Sequence, residues 1–401
     1  MSHPSLSADR EPVLVLGRRT AFGRPNGILG RLTAEKLLAP VLAAVVADSG
    51  VAAGRIDDVI IGNAVGGGGN VARLAALEAG FPVTVPGLTI DRQCGSGLQA
   101  IVLACRLIAA GAGDLYLAGG VESCSTAPLR AQRLSSTPGN PDFFERVRFA
   151  PDAVGDPDMG VAAENVAERF GISRERQDAF ALRSHRLALA AADSGSLAEE
   201  IVPIATFAGP ADADEGPRRT LTAGLLRRFP PAFRPDGSVT AGNSCADADG
   251  AVVVLVTNRG TADQLGIPGY LRFVDAAVAG TDPNLLGIAG AEAGRTLLVS
   301  QGVSGADLAR VEFNEAFAAQ VLASLDILGV PEDHANLQGG GLAVGHPFGA
   351  SGALLVLRVL QQCRNAAEPG DLSLTAVSIA GGLGVAALWR WEGVARMDSK
   401  T

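Results

Sequence analysis

The stretch "CGSGLQAIVLACRLIAAGAGDLYLAGG", residues 94–120, can be laid beside "GASGALLVLRVLQQCRNAAEPGDLSLTAVS", residues 349–378. Each opens on Ser-Gly and runs through an apolar stretch at helical spacing. Each then reaches Gly-Asp-Leu-x-Leu at the entry to a strand-like run. The distance from Ser-Gly to Gly-Asp differs by two residues between the copies. Two matching features in one order predict a duplicated α/β unit, its two helix N-termini related by a pseudo-twofold axis. Working outward, "VLVLG" (13–17), "DVIIGN" (58–63), "DLYLAGG" (114–120) and "AVVVLVTN" (251–258) read as buried strands, and 33–49 and 95–111 as helices. That alternation predicts a mostly parallel sheet with helices on its faces.

The chain has 401 residues, 47% hydrophobic and 19% charged, which fits two or three domains with a large core. A formal charge of −9 argues against nonspecific nucleic-acid binding. An anionic small ligand needs only a local basic patch. The five cysteines (Cys94, Cys105, Cys124, Cys245, Cys363) form no CxxC and predict free thiols in a reducing compartment. The four histidines are too scattered for a metal site, so no metal is expected. "MSHPSLSADREP" has no apolar run, and Arg106 interrupts the best apolar stretch. The expectation is a cytoplasmic protein without a membrane or nucleic-acid partner.

Residues 126–239 differ in character. Eleven of the 22 prolines fall there, among the runs "DADEGPRR" and "LLRRFPPAFRPDG". One helical stretch stands out, Ser173 to Ala192, with Ser173 as N-cap and Glu175 in the first turn. The segment reads as an insertion in the first half that carries a lid or ligand-binding surface.

Four motifs carry chemistry. Cys94 precedes the small-residue turn Gly95-Ser96-Gly97 at the mouth of a helix, where the helix end lowers a thiol's pKa from about 8.5 and free amides can hold an oxyanion. "GGGLAVGHPFGASG" (339–352) places His346 among glycines just before the second repeat helix. If the copies face each other, His346 and Cys94 converge as an activating pair. In "EFNEAFAAQ" (312–320), Asn314 and Glu315 stand between a strand and a helix, where a simple helix cap by Asn is the competing reading. "SIAGGLG" (378–384) is a strand end and glycine turn that can bring backbone N–H groups to a carbonyl oxygen.

Taken in order, these motifs resemble the thiolase family of acyl-CoA acyltransferases. So do "GNAVGGGGNVARLAAL" (62–77), "AGGVESCSTAP" (118–128), "MGVAAENVAERFGISRERQDAFALRSH" (159–185) and "TAGNSCADADGA" (240–251). The glycine run at 66–69 is then no phosphate loop, and it lacks the Gly-Lys-Ser/Thr ending. The resemblance implies two similar βαβαβαββ halves in a five-layered α/β/α/β/α core. The first half is expected over 1–125 and 240–270, an inserted coenzyme-A-binding loop domain over 126–239, and the second half over 271–401. It implies a dimer or tetramer acting on coenzyme A thioesters with no other cofactor. It also implies that Cys94 is acylated, that His346 activates it, that Asn314 and His346 build one oxyanion hole, and that the backbone of Cys94 and Ala380 builds another. Met159, Arg218, Arg219, Ser244 and Cys245 are the implied substrate contacts, and Arg227 and Arg228 are further candidates for the phosphates.

One position departs from the family pattern. The second cysteine, which moves the proton at the substrate α-carbon, is here Ser378. An alcohol gives up its proton far less readily than a thiol, and acid–base help is worth about 10² to 10⁴-fold. The departure implies a slowed or specialised enzyme, with a gain on Ser378→Cys unless another group supplies the proton. Alternatives are a condensation whose carbanion arises by decarboxylation, a carbon–carbon lyase, or a subunit of a coenzyme-A-dependent complex.

Overall fold

The computed structural model describes residues 7–132, 141–144 and 146–393, with the backbone alone at Leu286. Residues 1–6, 133–140, 145 and 394–401, which the reading above spreads over both halves and the insertion, lie outside the described residues. Nine strands build the main sheet: β1 (Pro12–Arg19), β2 (Asp58–Gly62), β3 (Gly87–Ile90), β4 (Leu115–Ser123), β5 (Asp249–Asn258), β6 (Gly269–Gly280), β7 (Leu308–Phe313), β8 (Leu372–Ile379) and β9 (Leu383–Gly393). Eight helices concern us: α1 (Ala34–Ser49), α2 (Val71–Glu78), α3 (Ser96–Ala109), α4 (Met159–Phe170), α5 (Arg174–Asp193), α6 (Ala289–Gln301), α7 (Ala318–Leu328) and α8 (Phe348–Ala366).

The strand order is β7-β8-β9-β6-β1-β5-β4-β2-β3. The first half therefore runs β3-β2-β4-β5-β1, and the second repeats it with the third strand reduced to a bridge between Ala335 and Val311. The halves join where β1 meets β6, through Val13–Arg272 and Leu14–Leu271. The sheet is mixed rather than mostly parallel. Only β2/β3, β2/β4 and β7/β8 are parallel; the other five neighbouring pairs are antiparallel. The last strand of each half does not arise from a single βαβ crossover: β8 returns as β9 through the Gly381–Gly382 turn, and β5 returns beside β4 after the whole insertion. Without a crossover there is nothing to enforce parallel pairing.

Alternation along the strands builds the layers. On β1, Val13 and Val15 pack outward with α1, while Leu14 packs inward. Ile60 and Val254 repeat this inward pattern, between outward Val59, Ile61, Val253 and Leu255. The second half packs its outer face on α6 and α7. Between the two half-sheets lie α3 and α8, and every residue of α8 from Gly349 to Cys363 is buried. A helix apolar nearly all round belongs in such a middle layer. The result is helix, sheet, helix, sheet, helix.

The repeated Ser-Gly is where α3 and α8 meet. A side chain at Gly97 would stand 2.6 Å from the Gly349 carbonyl and 2.9 Å from the Ala353 nitrogen. One at Gly352 would stand 2.7 Å from the Leu98 nitrogen. Each copy supplies the glycine that lets the other approach.

The insertion carries α4 and α5, the latter capped by the Ser173 side chain, which accepts from the Arg176 N–H. It is tied to the core by buried charges. Arg19 at the end of β1 donates to Glu200 at 2.8 Å and to both oxygens of Asp214 at 2.7 and 2.9 Å. Arg358 of α8 lies 3.4 Å from the same Glu200. Removing one partner of a buried pair costs about 3–5 kcal/mol, because the other charge is left unpaired. Arg19→Leu is therefore expected to lower unfolding stability by about that amount at neutral pH, measured by urea titration. A loss below about 1 kcal/mol would mean that the cluster is solvated and does not anchor the insertion.

Candidate active site

Cys94 sits in a turn locked from both sides. Gln93 before it has φ 48°, a left-handed conformation that costs a non-glycine residue about 1–3 kcal/mol. Ser96 holds that turn: its hydroxyl donates to the Gln93 carbonyl at 2.6 Å and accepts from the Arg92 N–H at 2.8 Å. The chain then enters α3, so the thiol stands at a helix N-terminus. Burial nevertheless pushes the Cys94 thiol up to about 12, and the opposing N–H of Ala380 does not cancel this. The expected lowering by the helix end is corrected here, since desolvation outweighs about half a charge at the helix end.

The second half supplies His346. It stands three residues before Gly349, as Cys94 stands three before Gly97, so the helix crossing draws the two loops toward each other. The Ser351 hydroxyl donates to the Pro347 carbonyl at 3.0 Å and therefore accepts from His346 Nδ1 at 2.6 Å. That assigns the proton to Nδ1 and leaves a lone pair on Nε2. The Asn314 amide nitrogen lies 3.4 Å from Nε2. Burial lowers the His346 pKa to about 4, so the ring is neutral at ordinary pH. Among the described residues no hydrogen bond joins Cys94 to His346; Asn314 and Ser351 face the two ring nitrogens.

The segment from Asn243 to Ala248 stitches these loops together. Ser244 bridges Phe317, the Cys245 N–H donates to the Ala316 carbonyl at 2.9 Å, and the His346 N–H donates to the Ala246 carbonyl at 2.8 Å. Beside it opens a cavity of about 500 Å³, whose wall includes His185, Arg218, Phe233, Ser244, Cys245 and Asp247. Phe233 meets Phe317 edge to face, with ring centroids 6.0 Å apart.

The sequence-derived residues distribute unevenly. Arg218, Ser244 and Cys245 line the cavity, and the Arg218 N–H donates to His185 Nδ1 at 3.2 Å. Arg219 instead pairs with Asp193 at the surface. Arg227 ends a short helix over Ala223–Leu226, and neither it nor Arg228 is in the cavity wall. Met159 opens α4 next to Gly160, which packs against the Phe233 ring. The cap reading of Asn314 does not hold: α7 starts at Ala318, and Gln320 Oε1 accepts the Phe317 N–H. Glu315 is buried and accepts from Ser184, Asn336 and the Leu342 N–H.

Ser378 lies at the end of β8, but its hydroxyl is occupied. It donates to the Gly287 carbonyl at 2.7 Å and accepts from the Gly290 N–H at 3.0 Å, satisfying one of the free amides in the first turn of α6.

Two contributors escaped the sequence reading. Ser351 orients the histidine, and its signal was present as the Ser of the second Ser-Gly. Glu122 accepts from Asn63 at 2.7 Å, the Ala64 N–H at 2.9 Å and the Gly349 N–H at 3.0 Å, clamping the start of α8 to the first half. A carboxylate inside an otherwise apolar strand is the signal for such a clamp.

Comparison with known proteins agrees over nearly the whole chain. Residues 12–260 match the model of the thiolase N-terminal domain and residues 269–390 that of the thiolase C-terminal domain. The chain is 43% identical over 390 residues to "Putative acetyl-CoA C-acetyltransferase VraB" of Staphylococcus epidermidis, covering 96% of this chain and 100% of that one. It is 43% identical over 379 residues to "Putative acetyl-CoA C-acetyltransferase YhfS" of Bacillus subtilis, covering 94% and 98%. The crystal structure of the Bacillus anthracis acetyl-CoA acetyltransferase superimposes with a TM-score of 0.88 at 36% identity, over 96% of this chain and 99% of that one. With its duplicated halves, its five layers and these matches end to end, the chain belongs to the thiolase family.

Proposed function

We propose that the protein is a thiolase-type acyl-CoA C-acyltransferase working through an acyl-Cys94 intermediate. The observation that carries this reading is a desolvated thiol, reached by the Ala380 N–H, on the loop before one crossing helix, and a neutral histidine, its Nδ1 taken by Ser351, on the loop before the other. A thiol raised to about 12 does not ionise unaided at pH 7. His346 takes its proton as the sulfur attacks the thioester carbon, and contacts that are long in a resting site tighten as substrate binds. The developing oxyanion is met by the backbone N–H groups of Cys94 and Ala380. Coenzyme A leaves as the thiol, with its proton from His346. The second thioester enters the cavity past Arg218, and its oxygen is held by the Asn314 amide.

Ser378 takes no part in proton transfer on this reading, because both its donor and its acceptor capacity serve the backbone. The same observation favours a second reading, in which the carbanion forms by decarboxylation of a malonyl thioester and needs no base.

Incubation with acetyl-CoA followed by intact-mass analysis is expected to show one added acetyl group, located on Cys94 by peptide mapping and missing in Cys94→Ala. No acyl-enzyme from either acetyl-CoA or a longer acyl-CoA sinks the proposal. Acyl transfer to added acetyl-CoA separates the first reading from the second, in which malonyl-CoA alone is condensed.

The protonation states fix the pH profile. The active form has neutral His346 and a protonated thiol, and it persists from above about 4 to below about 12. The kcat/KM of acylation is therefore expected to be level from about pH 5.5 to 9, since its limbs report the free enzyme's acid and base. An inflection near 6.5 contradicts this assignment of His346. Ser351→Ala is expected to slow acylation about 10- to 100-fold with little change in stability, since it frees Nδ1 and mixes the tautomers.

A further inference from the structure

Condensation and cleavage both require a proton to move at the substrate α-carbon, and Ser378 is committed elsewhere. Resting on the acyl-transfer reading above, we infer that the Asp247 carboxylate is the base that moves this proton. Asp247 lies on the segment that stitches the two loops, in a backbone bridge with His346 itself. It lines the same cavity as Cys245 and Ser244. Its charge acts on the thiols of Cys94, Cys245 and Cys124, which places it within electrostatic reach of the nucleophile.

The carboxylate is also free. Among the described residues it has no hydrogen-bond or ion-pair partner, whereas Glu122, Glu315 and Asp249 are each held by several donors or by serine. By area Asp247 is open, yet burial, with Asp249 nearby, raises its pKa. That combination belongs to a side chain on a cavity wall, and a raised carboxyl is the better base. Cys245, the other candidate on this wall, has its thiol pushed further up by burial and by Asp247 itself, so it is the weaker choice.

The step balances without a further reactant. Asp247 takes the α-proton of the bound thioester, and the C–H pair becomes an enolate whose oxygen is held by the Asn314 amide. The enolate carbon bonds to the acyl carbon on Cys94, the carbon–sulfur bond breaks, and the Cys94 thiolate recovers the proton held on Asp247. Cleavage runs the same path backward.

The test is exchange of the α-deuterons of [²H₃]acetyl-CoA into water, followed by mass spectrometry beside Cys94 acetylation. Wild type is expected to exchange. Asp247→Asn, nearly isosteric, is expected to lose exchange by about 100-fold or more while Cys94 still gains its acetyl group, which also reports that the variant folds. Ser378→Ala is expected to stay within a few-fold of wild type. Exchange by Asp247→Asn at the wild-type rate, or its abolition by Ser378→Ala, overturns the assignment. Acetylation of Cys94 in a wild type that exchanges nothing also overturns it and leaves the acyl-transfer reading standing. Absence of both signals brings down the acyl-transfer reading itself.

Discussion

Two buried helices must touch backbone to backbone for this protein to have a centre. α3 and α8 cross where Gly97 faces the Gly349 carbonyl, and there is no room for a side chain on either. Gly120 presses on the same carbonyl from β4. Interiors packed to crystal-like density transmit such a constraint rather than absorb it. The loops that precede the helices have therefore little freedom, and they carry Cys94 and His346. The Glu122 clamp on the Gly349 N–H adds a polar lock at the same point. Geometry at the nucleophile thus depends on contacts that are themselves chemically inert.

Much of this was legible in residue order. Paired Ser-Gly signals revealed the duplication, alternation exposed the strands, and the Ser173 cap marked the start of α5. What stayed hidden was of two kinds. Pairing direction was misjudged because the hairpin from β8 to β9 and the long return to β5 look, in one dimension, like any other strand succession. Side-chain commitments were invisible too. That Ser378 braces α6, that Arg219 is spent on Asp193, and that Asp247 has no side-chain partner among the described residues all depend on which residues meet in space. The resemblance to thiolases could name Cys94, His346 and Asn314, but it could not say what stands in for a missing thiol.

Desolvation sets the electrostatics of the site. It raises the thiol, lowers the imidazole and leaves the pair uncharged. On the acyl-transfer reading the charge is created only during acylation, against preset N–H donors, where its stabilisation favours the transition state over the resting state. A preformed thiolate–imidazolium pair would give up part of that difference. Such an arrangement suits a nucleophile that must also be a good leaving group in the second half of the reaction.

The raised pKa of the Cys94 thiol has a consequence beyond acyl transfer. With its pKa pushed up to about 12, the thiol is almost wholly protonated at pH 7. Peroxide, quinones and other soft electrophiles attack the thiolate, and the oxidation ladder toward sulfenic and sulfinic acid begins from it. On the acyl-transfer reading, the raised pKa therefore protects the sulfur of the resting enzyme from such damage, and deprotonation by His346 arms it only as a thioester arrives.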